Sequence, residues 1–384
     1  MKFQWTPLER PLEVTAADWQ AWAWQLRNSL ESPSDFARTF DLSQNETAHI
    51  EQVGNAIKIK VTPYYAQLAR GPKGHSIRRI LFPSMEELTV APSDHWDPLA
   101  ERKYSPVDRI IHRYPDRVLF LVTDTCSVYC RYCTRKHFTG KEQALPSRSD
   151  YETALLYIRS HPGIREVILS GGDPLSLGDN VLERVLRDIR AIDHIEIIRV
   201  GTRMPVVCPM RMTGELIGIL KAHNPVYLMT HFNHPREITQ IAVERLGQVV
   251  DAGIPIMNQM VFLNGVNNHA AIVQALNRRL LYLRVKPYYM FQCDPSEGTD
   301  YLRTSLDDSL AIQKELWGNL SGLAMANLSM DIPGGGGKVG FVPDFADRNL
   351  PSLSNHFKGW DGVQGEYVNP APNKTILPAD VDVY

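Results

Sequence analysis

No block of like charge, no long apolar run and no disulfide framework marks this 384-residue chain. Its 41 Lys and Arg residues nearly balance 43 Asp and Glu, for a net charge of −2. A nucleic-acid binder is expected to show a basic excess, so that class is set aside. No stretch reaches the roughly 20 apolar residues that a membrane-crossing helix needs. The opening segment MKFQWTPLERPLE lacks the apolar core of a secretory signal. Cysteine is scarce, and five residues, three of them clustered, suit a reducing compartment better than a set of disulfides. These absences point to a soluble, cytoplasmic protein with one large domain plus additions.

The clustered cysteines are Cys126, Cys130 and Cys133, in the run Thr125-CSVYCRYC-Thr134. Three thiolates in this C-x3-C-x2-C spacing can reach three corners of one iron–sulfur cluster. Such clusters usually take four cysteines, so one iron would stay open for chemistry. The loop begins where the apolar run 118–122 ends, which is where an α/β protein places its ligands. Two other readings stay open on spacing alone. His137 could complete a Cys3His zinc site, or the cysteines could be ordinary reduced thiols.

From about residue 117 to 320, short apolar runs alternate with helix-period segments. The expected strands are 118–122, 166–169, 195–200, 226–230, 255–263 and 285–291. The expected helices are 150–160, 180–191, 214–222, 236–252, 268–283 and 309–320. Ser149 and Glu152 read as a capping box at the first helix, and Pro235 as the first-turn residue of the fourth. Six strand–helix units argue for an α/β fold, a partial (β/α)6 barrel or open parallel sheet with right-handed crossovers. Residues 1–100 read as a helical extension, with helices at 18–30 and 45–56 and a second capping box, Ser43 and Glu46. Trp19, Trp22 and Trp24 are expected to pack this extension on the barrel. The division is 1–100 extension, 101–325 barrel and 326–384 glycine loop and tail. From Phe341 the tail is rich in Pro, Gly, Asn and Asp and reads as extended.

Other segments could carry chemistry. Asp331-Ile-Pro-Gly-Gly-Gly-Gly-Lys338 lets the backbone turn closely around a ligand and delivers a lysine from what reads as a mobile loop. It is no P-loop, because Val339 stands where Ser or Thr should hold magnesium. A lysine amine can form a Schiff base with a carbonyl cofactor such as pyridoxal phosphate; the plainer reading is a solvated surface lysine. Ser170-Gly171-Gly172-Asp173 offers bare amides and a carboxylate, or a plain tight turn. His231 and His234 could bind metal, although satisfied polar residues are commoner. Asn258 and Gln259 lie in a strand. Arg113, Tyr114 and Arg117 could hold a phosphate, or form a solvated loop. Asp294 and Asp331 are a candidate acid pair.

In this order, HRYPDRVLF, TDTCSVYCRYCTRK, LSGGDPL, THFNHP, NQMVFLNGVN, KPYYMFQCD and DIPGGGGK resemble the lysine 2,3-aminomutase family of radical S-adenosylmethionine enzymes. The resemblance covers roughly residues 95 to 345. It implies a radical-enzyme partial barrel in which Cys126, Cys130 and Cys133 bind a [4Fe–4S] cluster and S-adenosylmethionine chelates the open iron. It puts Gly171, Gly172 and Asp173 at the methionyl end, and His231 and Gln259 near the ribose and sulfonium. Lys338 would bond to pyridoxal phosphate, with Arg113, Tyr114 and Arg117 at its phosphate and ring. Arg135 would meet the substrate carboxylate; a buried ε-ammonium would also need compensating charge, which the acid pair Asp294 and Asp331 could supply from different loops.

The activity implied is isomerisation of L-lysine to β-lysine, with electrons from a flavodoxin- or ferredoxin-type donor. The same chemistry on arginine, or a cluster- or zinc-bearing module without turnover, are the alternatives. No nucleic-acid or membrane partner is expected. Some relatives carry a C-terminal cysteine zinc site, but no cysteine follows Cys293 and His269 stands at one such position. That zinc is therefore not expected, and whether the chain forms a homo-oligomer stays open. Phe291 replaces a tyrosine of some relatives.

Overall fold

The computed structural model describes residues 3–54, 57–140, 145–346 and 356–366. Nine strands hydrogen-bond in chain order: β1 Ile110–Tyr114, β2 Arg117–Thr123, β3 Glu166–Gly171, β4 Ile197–Gly201, β5 Val226–Thr230, β6 Ile256–Val261, β7 Val285–Phe291, β8 Asn327–Ile332 and β9 Gly337–Phe341. From β2 to β8 every neighbour is parallel, and β1 and β9 flank them antiparallel. The six expected parallel strands are all present. A seventh, β8, and both edge strands are additions. Their sequences, IIHRY, NLSMDI and GKVGF, are too short and too polar to stand out by pattern.

Helices Arg148–Arg159, Asp179–Arg190, Gly214–Ala222, Gln240–Asp251 and Ala270–Tyr282 make the crossovers, and Leu306–Leu316 precedes β8. Each turns one apolar stripe inward. In Asp179–Arg190 the buried set is Leu182, Val185, Leu186 and Ile189, the i, i+3, i+4, i+7 spacing of one helix face. Two start signals differ from expectation. Ser147, not Ser149, caps the first helix, accepting from the Asp150 amide at 3.1 Å, while Glu152 pairs with Arg148 at 2.8 Å. Pro235 opens a separate 3-10 turn, and the helix after it starts behind Thr239. The Ser43–Glu46 box forms in both directions, at 2.9 and 3.3 Å.

The extension is helical, in more pieces than expected: Ala16–Gln20, Trp22–Arg27, Pro33–Phe40, Gln44–Gly54, Pro63–Leu68 and His75–Leu81. Trp19 is buried, and Trp22 and Trp24 pack partly buried on the core. One hydrophobic cluster runs from Trp19 and Phe36 in the extension to Leu328 in β8. A small hairpin, β10 His356–Lys358 with β11 Gln364–Glu366, follows the barrel. The rest of the expected extended tail lies outside the described residues. Among those described, no helix is long and apolar enough to cross a membrane.

Candidate active site

One cavity of about 910 Å³ lies along the sheet, lined by alternate residues of the strands and by the loops after them. Alternation follows from the pleat, which sends every second side chain to the same face. The cavity has a cysteine end and a lysine end.

At the cysteine end, β2 runs out into the loop that carries Cys126, Cys130 and Cys133. All three are free and all three line the cavity. Burial, and then the neighbouring cysteines, push the Cys126 and Cys133 thiols above their ordinary range. Thiolates there need a cation beside them, and an iron cluster would supply it. Part of that charge is already built in, because Arg203 Nη1 donates to Cys130 Sγ at 2.8 Å. Among the described residues no three His, Cys, Asp or Glu side chains converge on a single ion. His137 instead lies against the Trp96 ring, centroids 4.4 Å apart. The donor set is thus three sulfurs with a basic neighbour, which fits a cluster with one open iron better than a Cys3His site.

The loop after β3 closes on the cysteine loop. A Cβ on Gly171 or Gly172 would sit 2.1 Å from the carbonyl oxygens of Thr123 or Thr125, so both positions require glycine. The reading of bare amides is corrected here: Gly172 N–H and Asp173 N–H donate to those same carbonyls at 2.7 and 2.8 Å. The Asp173 carboxylate is likewise engaged, accepting from Thr202 Oγ1 at 2.6 Å, Arg203 N at 2.8 Å and Leu175 N at 3.0 Å. His231 and Gln259 line the cavity. Burial, reinforced by Arg203 and Arg135, lowers His231 to about 4, so it is neutral near pH 7. His234 does not join it. Its Nδ1 caps the 3-10 turn, accepting from Arg236 N at 3.0 Å. Asn258 is structural, bonded to both backbone groups of Phe232 at 2.7 and 3.0 Å.

At the lysine end the glycine segment is the turn of the β8–β9 hairpin. Lys338 and Asp331 are directly opposed across β8 and β9, and Lys338 Nζ donates to Asp331 Oδ2 at 2.9 Å. The ammonium also lies 4.0 Å over the Phe291 ring. The turn is tied to the segment before β1, through Gly334 N to Pro98 O and Tyr104 Oη to Gly335 O, each 2.9 Å. Tyr114 Oη accepts from the Lys338 backbone N–H at 2.9 Å. Arg117 stacks 3.9 Å over the Tyr114 ring, and Arg113 reaches Asp331 at 3.9 Å. Asp294, after β7, accepts from Thr134 Oγ1 at 3.2 Å. Burial first, and then Asp331, push its carboxyl up to about 7.

Between the two ends stands Arg135, which donates Nε and Nη2 to Glu101 at 2.6–3.0 Å and Nη1 to Ser170 at 2.9 Å. The side chains of Glu101, Ser170 and Arg203 were missed from sequence. Glu101 lies in a polar stretch without periodicity, Arg203 is a lone cation between β4 and the apolar run 204–207, and Ser170 reads as part of a tight turn. Cys208 and Cys293 are buried far from ligand geometry, each thiol raised by burial to about 12. His269 caps its helix at 3.2 Å from Ala271 N.

Residues 120–273 match the radical SAM superfamily. Over 93% of this chain and 84% of the relative, the sequence is 40% identical to an L-lysine 2,3-aminomutase of Fusobacterium nucleatum. It is 38% identical to the L-lysine 2,3-aminomutase of Bacillus subtilis, over 100% of this chain and 81% of that one. A glutamate 2,3-aminomutase of Clostridioides difficile is 38% identical over 87% of this chain and 79% of its own.

Proposed function

Because the chain belongs to the lysine 2,3-aminomutase family of radical S-adenosylmethionine enzymes, we propose that its substrate is L-lysine and its product β-lysine. Overall identity does not separate lysine from glutamate, since relatives of both kinds stand near 40%. The observation that carries the substrate is the acid pair. Asp294 and Asp331 line one cavity from the ends of adjacent strands, and Arg135 lines the same cavity. A carboxylate about 4 Å from an ammonium gives roughly 4 kcal/mol of Coulomb attraction at an effective dielectric near 20. A second acidic group in that place would meet two carboxylates instead.

In this reading Cys126, Cys130 and Cys133 hold the [4Fe–4S] cluster. Gly171, Gly172 and Asp173, with His231 and Gln259, bound the S-adenosylmethionine site. Arg113, Tyr114, Arg117 and Lys338 hold pyridoxal phosphate. When bound, the cluster with S-adenosylmethionine supplies a carbon radical that takes hydrogen from the substrate, and pyridoxal phosphate supplies the carbonyl that carries nitrogen. The chain's own groups do the rest. Asp331 holds the Lys338 amine until the cofactor binds; afterwards it and Asp294 are free to hold the substrate's far ammonium. Arg135 takes the α-carboxylate. Neutral His231 accepts or donates a hydrogen bond without adding charge beside the sulfonium. The hairpin and the 98–104 segment, tied together at Gly334 and Gly335, wall one side of the lysine end. An external one-electron donor and a reducing, cytoplasmic setting suit this chemistry.

The test is an anaerobic assay with reductant, S-adenosylmethionine and pyridoxal phosphate, offering lysine, arginine, ornithine and glutamate. Conversion of lysine to β-lysine is expected to lead. Preferred turnover of arginine or glutamate would overturn the substrate.

A further inference from the structure

Glu101 has no part in the reading above, yet it is buried and sits on the residue proposed to take the substrate's carboxylate. It follows Ala100, which is left-handed at φ 49°, and its own N–H is fixed by Asp97 Oδ1 at 3.0 Å. The bent backbone throws its carboxylate into the cavity, against one edge of the Arg135 guanidinium. Nε bonds to both carboxylate oxygens, at 3.0 and 2.9 Å, and Nη2 to one of them at 2.6 Å. Ser170 Oγ, at the end of β3, takes one N–H of Nη1 at 2.9 Å. A guanidinium carries five N–H groups. With Nε, one from Nη2 and one from Nη1 engaged, one N–H remains on each terminal nitrogen.

We propose that Glu101 is a positioning residue that locks Arg135 so its two remaining N–H groups receive the substrate's α-carboxylate. This rests on the reading of Arg135 given above. An arginine held this way loses little side-chain freedom on binding, and a bidentate partner fixes direction as well as charge. Glu101 thus sets which end of a dibasic amino acid lies where, and so which carbon is presented for reaction.

The probe pair is lysine against 1,5-diaminopentane, which keeps both amines and lacks the carboxylate. Each is titrated into protein carrying pyridoxal phosphate, without reductant, following the cofactor's absorbance. Glu101→Gln is expected to weaken lysine roughly tenfold to a hundredfold, the range of a lost charge-assisted contact. The diamine should stay within about twofold. In turnover the loss should fall on KM more than on kcat. Equal weakening of both ligands, or of neither, overturns the proposal. Arg135→Gln is run in parallel. If it leaves lysine's advantage over the diamine intact, the reading of Arg135 falls and takes this proposal with it. If Arg135→Gln erases that advantage and Glu101→Gln does not, the Glu101 proposal alone is wrong. Should Glu101→Gln fail to fold, Ser170→Ala decides: a lysine-only loss of about threefold to tenfold supports the lock, and any other pattern rejects it.

Discussion

Burial and Asp331 push the Asp294 carboxyl up to about 7, so this group changes charge across the working range of most enzymes. A lysine ε-ammonium, near 10.4 when free, stays charged throughout that range. The charged carboxylate is the form that binds it, so binding below pH 7 must expel a proton from Asp294. Affinity therefore falls as the pH drops. Between pH 8 and pH 6, with a pKa near 7, the lysine requirement should rise about tenfold. Asp294→Asn should weaken lysine at pH 8 and remove this part of the pH profile. A profile unchanged by the substitution would show that Asp294 does not carry the ammonium. Asp294 was legible because it follows the apolar run of β7, and Asp331 because it opens the glycine segment that ends in Lys338. Glu101 was not: it lies 34 residues before Arg135 in a polar stretch, and only the left-handed Ala100 turns it inward.

At the scale of an element, the β8–β9 hairpin is what the sequence showed least faithfully. Four glycines in a row read as a loop, yet they form the turn of a strand pair that puts Lys338 opposite Asp331. Two of them separate the causes of rigidity. Gly334, at φ 76°, has nothing within 4 Å of an added Cβ, so Gly334→Ala meets backbone strain alone, about 1 kcal/mol. Gly335, at φ 92°, would also drive its Cβ to 2.9 Å from the Tyr104 ring and 3.0 Å from Ala100. Gly335→Ala should therefore displace the turn and cost about 2–4 kcal/mol. The measurement is thermal unfolding together with pyridoxal phosphate content. Gly335→Ala should lower both and Gly334→Ala should lower the first slightly. Equal effects would mean that the turn does not lean on the 98–104 segment. The parallel strands were readable because each is a short apolar-rich run between helix-period segments, with one face in the core and the other lining the cavity. The edge strands answer to partners rather than to pattern, which is why they were not.

At the scale of the whole molecule, the helical extension is wired to the cysteine loop through one buried polar network. Tyr65, from Pro63–Leu68, donates its hydroxyl to Glu237 after β5 and accepts from Arg203 Nη2 at 2.9 Å. Arg203, after β4, bonds to Glu237 at 2.9 Å and to Cys130 Sγ at 2.8 Å. Partners 138 and 172 residues apart share no sequence signal, so the extension reads as an appendage and folds as a wall. Glu237 is fully buried, with 0% exposure. Removing its cation leaves a charge with no solvent to receive it. Arg203→Met should then cost about 3–5 kcal/mol in urea unfolding, and Tyr65→Phe, which removes a neutral hydroxyl, about 1–2 kcal/mol. Adding Glu237→Gln to Arg203→Met takes away the stranded charge. The double variant should therefore be less destabilised than the sum of its parts, by about 1–3 kcal/mol. Simple additivity would show that the two residues act separately and that the cysteine loop is not braced through them. If the coupling is found, the same Arg203 variant should also load less iron at equal folding, since Cys130 loses the guanidinium that now fixes its sulfur.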